Sequence, residues 1–168
     1  MDKKALHKIS YGLYVVSSKK KGNFNGQIAN TVFQVCSEPP VIAVCINKEN
    51  LTHEYIGGSK IFTVSVLSQD TPIEFIGLFG FKSGKDNDKF KNIQYKIGTT
   101  GGPIVLENTV AYLEAEVISK ADVITHTVFF GKLVEGEILN EQQPMTYDYY
   151  HKVKRGKVPK NAPTYIGE

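Results

Sequence analysis

From residue 104 to residue 139 the chain reads IVLENTVAYLEAEVISKADVITHTVFFGKLVEGEIL, two or three long strands in succession, broken near Asn108 and Asp122. Within it Ala111, Leu113, Ala115 and Val117 make one fully apolar face, while Val110, Tyr112, Glu114, Glu116 and Ile118 make the other face mixed. A doubly wound fold needs helices of about ten residues between its strands, and this chain has no room for them. The first half follows the same grammar. YGLYVVSS (11 to 18) reads as a strand, KKKGNFNG as a polar turn with two glycines, and IANTVFQV (28 to 35) as a half-buried strand. EPP at 38 to 40 is a stop, because proline removes ladder donors, and the uninterrupted apolar run VIAVCI (41 to 46) belongs in the middle of a sheet. KIFTVSVL (60 to 67) alternates again.

The helices are short. LTHEYIGGS (51 to 59) supplies one or two turns, capped by Asn50 or Thr52 and ended by Gly57 and Gly58. TPIE (71 to 74) predicts a helix start with Thr71 as cap, Pro72 in the first turn and Glu74 closing a capping box, and Gly77 and Gly80 limit its length. SGKDNDKF is a loop leading into another short helical turn, and the polar residues 141 to 168, with prolines at 144, 159 and 163, read as an extended tail lying on the body. The pattern predicts a single all-β domain with short helices, its five or six strands closing into a barrel that leaves no exposed edge.

Composition narrows the function classes. The chain is 41% hydrophobic and 22% charged, which suits a soluble globular domain, and its formal charge of +3 calls for neither a nucleic acid nor a membrane. No apolar run approaches the ~20 residues of a membrane span. The two cysteines, Cys36 and Cys45, form no CxxC and no cluster with histidine, so a metal centre within the chain is not expected; both are read as buried free thiols. With no signal peptide, the expected compartment is the cytoplasm.

Where VIAVCI gives way to the helix, Asn47, Lys48, Asn50, Thr52 and His53 form a polar knot. A helix start exposes unpaired N–H groups and favours an anion, so these residues suit a small phosphate cradle, or else a capped helix with incidental surface polar groups. FGFKSGKDNDKF (79 to 90) sets aromatics and glycines beside Lys82, Ser83 and Lys85, and glycine lets backbone approach a planar or charged ligand. NTVFQ (30 to 34) puts Asn30, Val32 and Gln34 on one side of a strand, which fits the polar edge of a heteroaromatic ring. No GxGxxG or GxxxxGK[ST] occurs.

These stretches together carry a resemblance. YGLYVVSS, NGQIANTVFQV, INKENLTH, FGFKSGKDNDKF, THTVFFGKLVEGE and GKVPKNAPTY, in this order, resemble the flavin reductase-like family of FMN-binding split β-barrels of Greek-key type. The resemblance is greatest to the branch with archaeal ferric reductase and the flavoprotein domain of high-molecular-weight rubredoxins. It implies a homodimer with one noncovalent FMN per subunit near the dimer interface. By position, it implies Asn30, Thr31 and Gln34 along the isoalloxazine, and Cys45, Ile46, Asn47 and Lys48 beside it. It implies Asn50, Thr52 and His53 at the ribityl phosphate, and Phe79, Gly80, Phe81, Ser83 and Gly84 closing over the ring. His126 falls where relatives carry a histidine after a Gly-Asp pair, but here KADVIT precedes it, so its implied place beside the cofactor comes without that pair.

The implied activity is transfer of hydride from NAD(P)H to FMN, then of electrons to free flavin, chelated ferric iron or a small redox protein. No cysteine follows Cys45, so an iron partner such as a rubredoxin-like protein is expected as a separate molecule. Two alternatives stand beside the reductase. One is an FMN electron carrier, poorly reduced by NAD(P)H, partnered with a rubredoxin. The other is a small barrel that binds haem or scaffolds a partner.

Overall fold

The computed structural model describes residues 1–165. A 3₁₀ turn at Lys3–Lys8 leads into a sheet built from β1 (Tyr14–Lys20), β2 (Asn23–Ala29), β3 (Val32–Ser37), β4 (Pro40–Asn47), β5 (Ile61–Leu67), β8 (Thr109–Val123) and β9 (His126–Ile138). A second, two-stranded sheet pairs β6 (Tyr95–Ile97) with β7 (Pro103–Val105), and the helices are α1 (Leu51–Ser59), α2 (Ile73–Gly80) and α3 (Tyr147–Lys152). The large sheet runs in the order β2-β1-β5-β8-β9-β4-β3, with every pairing antiparallel. β2 and β3 remain edge strands in that order, so the expected closure is not made by strand pairing. β8 does the bending. It pairs with β5 through its first half and with β9 along its length, and its register slips at Glu114/Ala115 and Val117/Ser119.

Both faces of β1 are covered, so its apolar run is continuous rather than alternating. Val15 joins Leu67, Phe75, Ile76, Phe79, Phe90, Met145 and Tyr150 in one core, under α2 and α3. Val16 joins Val44, Ile46, Ile56, Phe62, Val64 and Phe129 in a second core, under α1.

Several local readings need correction. The turn after β1 is only Lys21-Gly22, both at positive φ (48° and 81°), a two-residue hairpin; NFNG continues as strand, since Lys20 pairs with Asn23 and Ser18 with Asn25. α1 runs through Gly57 and Gly58 and ends at Lys60 in the left-handed region. No capping box forms at α2: the Thr71 hydroxyl donates back to the Ser68 carbonyl at 2.7 Å, and Pro72 is the cap. The mixed face of β8 is buried as far as Glu114, and Glu116 and Ile118 beyond it are exposed. Glu114, only 1% exposed, accepts from the backbone N–H groups of Thr99 and Thr100 and from the Thr100 hydroxyl at 2.9 to 3.1 Å, pinning the β6–β7 turn on the sheet. Cys36 is exposed because β3 is an edge strand with an uncovered face; Cys45 is half-buried, and both thiols are free. No helix among the described residues is long and apolar enough to cross a membrane.

Candidate functional site

One cleft of about 380 Å³ lies between β2, the ends of β3 and β4, the first turn of α1, the loop after α2 and residues 157–163. That volume falls in the range of small-molecule sites. Its position follows from the chain's local turns. β4 ends at Asn47 and the chain turns through Asn50; the His53 N–H donates back to the Asn50 carbonyl at 3.0 Å, and the Leu51 and Thr52 N–H groups that open α1 have no backbone partner among the described residues. The Asn50 side chain makes no capping bond there. Thr52 is buried and its Oγ1 already accepts from Asn25 Nδ2 at 2.8 Å, which leaves its own O–H free to donate into the cleft. Gly84 faces the same corner: a Cβ there would lie 2.0 Å from Asn25 Oδ1, so only glycine lets the 81–85 loop come so close.

Two buried polar groups in the cleft lack full partners. Gln27 Oε1 is buried with no hydrogen-bond partner among the described residues. Lys89, 5% exposed, donates to the Gly26 carbonyl at 2.8 Å and the Phe79 carbonyl at 3.3 Å. An ammonium has three N–H donors, so one is left over, and no carboxylate pairs with it among the described residues. Burial lowers its pKa to about 8. Lys82, Lys85, Lys157 and Lys160 add exposed charge around the cleft, against the carboxylate of Glu49 alone among the described residues.

Residues 153–165 form a strap across one side. Thr164 Oγ1 accepts from Asn30 Nδ2 at 2.9 Å and lies 2.8 Å from the Tyr147 hydroxyl, and the Asn161 carbonyl accepts from Asn47 Nδ2 at 3.3 Å. Lys157, Pro159 and residues 160–163 thereby become a wall of the cleft.

The structure brings together ten of the residues named from sequence. Asn30, Cys45 and Asn47 line the cleft at the strap end, and Asn50 and Thr52 line it at the helix start. Phe79, Gly80, Phe81, Ser83 and Gly84 line it along the loop after α2. Burial pushes the Cys45 thiol up, which suits a packing role and not a thiolate nucleophile.

Six others do not line it. Thr31 sits just behind, its hydroxyl donating to Asn30 Oδ1 at 3.0 Å and its carbonyl accepting from the Cys45 N–H. Ile46 is fully buried in the core. Gln34 lies on the exposed side of β3, 3.4 Å from the Cys36 carbonyl. Lys48, His53 and His126 gather instead at the β8–β9 turn. Lys48 Nζ is 3.8 Å from Asp122, and His53 Nε2 is 2.8 Å from Thr127 Oγ1. That hydroxyl donates to Asp122 Oδ1 at 2.6 Å, so His53 Nε2 must carry the proton it shares with Thr127. Burial lowers the His53 pKa and Lys120 adds to the shift, with Asp122 opposing. His126 Nδ1 is 2.9 Å from the Thr125 hydroxyl, while its Nε2 is buried without a partner. The polar knot thus divides across the end of β4: Asn47, Asn50 and Thr52 face the cleft, and Lys48 and His53 face the hairpin turn.

Sequence reasoning missed Asn25, Gln27 and Lys89. Asn25 and Gln27 were assigned to, or lay beside, a supposed turn. Nothing in hydropathy marks a lysine for burial between two carbonyls.

Comparison with known proteins places the chain in a family. A family model described as a flavin reductase like domain matches residues 6–156. A high molecular weight rubredoxin from Moorella thermoacetica is 52% identical over 165 residues, covering 98% of this chain and 72% of that protein. A ferric-chelate reductase (NAD(P)H) from Archaeoglobus fulgidus is 50% identical over 166 residues, covering 99% and 98%. Among solved structures, an NADH:FAD oxidoreductase from Streptomyces globisporus superposes with a TM-score of 0.77 at 22% identity, over 85% of this chain and 84% of that one. A flavin reductase complexed with NADP+ does so at 0.75 and 26% identity, over 86% and 90%.

Proposed function

Since the chain belongs to the flavin reductase-like family, we propose that it is an FMN-dependent NAD(P)H oxidoreductase of the flavin and ferric reductase kind. The observation that carries the reading is the donor set of the cleft. One end offers the Leu51 and Thr52 N–H groups at the start of α1, the free Thr52 O–H and the lysine-rich 82–85 loop; the other offers the amides of Asn30 and Asn47. The buried, unpartnered Gln27 Oε1 marks a place for a ligand N–H. A phosphate at one end and the polar edge of a flavin ring at the other match these groups in kind.

Bound there, FMN would supply the redox chemistry between NAD(P)H as hydride donor and free flavin, chelated iron or a small redox protein as acceptor. The residues of the chain bind, orient and shield. Thr52, Ser83, Lys82 and Lys85 hold the phosphate. Asn30, Asn47 and Gln27 fix the ring edge, and Lys89 places a fixed positive charge beside it. The strap excludes water from one side of the cleft. We read the bent, open seven-stranded sheet as the split β-barrel of the family.

A homodimer completes the reading. The edge strand β3 leaves Phe33 and Val35 exposed, and β8 and β9 leave Ile118, Val134 and Ile138 exposed. Sedimentation at low micromolar concentration is expected to show a dimer; a monomer refutes that part.

The purified protein is expected to be yellow and to release FMN on mild denaturation. Stopped-flow mixing with NADH and NADPH is expected to bleach the flavin band as fast as turnover proceeds. The identity to a rubredoxin-named relative favours one second reading, an FMN electron carrier served by a separate rubredoxin. A yellow protein that neither nucleotide bleaches supports the carrier, and a colourless one refutes both.

A further inference from the structure

The cleft and its surroundings hold more positive charge than a flavin mononucleotide uses. Among the described residues, five lysines and one glutamate line the cleft, a surplus of four charges in a chain whose formal net charge is +3. A phosphomonoester neutralises at most about two of the four. The strap continues the excess beyond the rim. Residues 149 to 165 contain no aspartate or glutamate, and Lys154 and Arg155 do not line the cleft. Neither of these two pairs with a carboxylate among the described residues, whereas Lys152 is matched by Asp148 at 2.9 Å. Exposed apolar side chains accompany the cations: Phe81 at the mouth (52% exposed) and Val153 on the strap (59%).

We propose, building on the flavoprotein reading above, that the cleft mouth and the basic strap form the docking surface for a small acidic one-electron redox protein. A partner that only fills the cleft, such as a nicotinamide nucleotide or a ferric chelate, leaves Lys154 and Arg155 unused. A protein whose carboxylates surround its redox centre meets the mouth and the strap together. A few apolar contacts inside a ring of opposite charges are the arrangement of a short-lived encounter, where charge raises the association rate more than the affinity. The modest total charge is too small for a nucleic-acid surface, and the patch borders the proposed cofactor, where an electron partner has reason to bind.

The test uses ¹⁵N-labelled, zinc-substituted acidic rubredoxin as the probe. It is titrated by NMR with the full-length protein as purified, at about 20 mM and about 300 mM salt. The expected result is chemical-shift changes localised on one face of the probe, with binding weakened about tenfold or more by salt. Lys154→Gln combined with Arg155→Gln is expected to weaken low-salt binding about fivefold and to leave flavin affinity and melting temperature unchanged, while Lys154→Arg retains binding. Absence of shifts, or equal affinity for the double variant, overturns the proposal. So does an equal loss in reduction of ferric EDTA by the double variant, which assigns the charge to small anions. The titration needs no flavin, so a colourless protein refutes the flavoprotein reading independently of the docking result.

Discussion

Lys89 gives the sharpest quantitative test. Its pKa falls from 10.5 to about 8 in the folded protein because burial disfavours the ammonium. Between those two values the unfolded chain binds a proton that the folded chain does not, so stability rises with pH across that window. Below about pH 8 the buried cation costs the flavin-free protein about 3 kcal/mol, at 1.36 kcal/mol per unit of pKa. From pH 7.5 to pH 10 this one group should return about 2 kcal/mol of it. Tyrosines and exposed lysines also titrate in this range, so the quantity to measure is a difference. Urea unfolding of wild type and Lys89→Met is followed at several pH values, both without flavin. Methionine leaves the Gly26 and Phe79 carbonyls without that donor, but this offset does not change with pH. The gap between the two proteins should move by about 2 kcal/mol in favour of wild type as pH rises. Curves that rise in parallel would refute the assignment of a buried, unpaired ammonium.

Other outcomes follow from the same geometry. Thr52→Val should weaken FMN about tenfold and riboflavin little, since a hydrogen bond to a charged group is worth about 1.5–3 kcal/mol; flavin fluorescence titration measures both ligands. Lys48→Ala should leave the two affinities nearly unchanged, because its side chain is 39% exposed and its ammonium faces Asp122. Thr164→Val removes the strap's bonds to Asn30 and Tyr147, and should speed FMN release and lower the melting temperature by about 2–4 °C. Nonreducing mass spectrometry should find two free thiols, with Cys36 alkylated before Cys45.

The strands were legible because their signals are local. VIAVCI reads as interior from its unbroken apolar run, and β4 does lie between β3 and β9. The break at Asn108, which sits at φ 59°, and the turn just after Asp122 follow from the alternation on either side. What local pattern cannot carry is the side of the sheet on which a short polar residue lands. Lys48 and Asn47 are neighbours in sequence yet face different groups, a matter of which hairpin crosses the end of β4. The burial of Glu114 depends on the β6–β7 turn folding back over β8, and the burial of Lys89 on the Gly26 carbonyl, 63 positions away, joined by that of Phe79. Most of the ten cleft residues stood out as polar or glycine-rich stretches that the family pattern then drew together, Cys45 came from that pattern alone, and a single-residue signal would not have found Gln27.

The strap also sets a schedule. Asn30 and Thr164 meet across 134 positions, so the wall of the cleft stays open during translation until the later residue has been made. At about 5–20 residues per second, that interval is roughly seven to twenty-seven seconds. During it, β1 to β4 and α1 are already available to pack. A cofactor captured early would therefore meet a half-built site and dissociate freely, and lasting capture would begin only when the strap arrives.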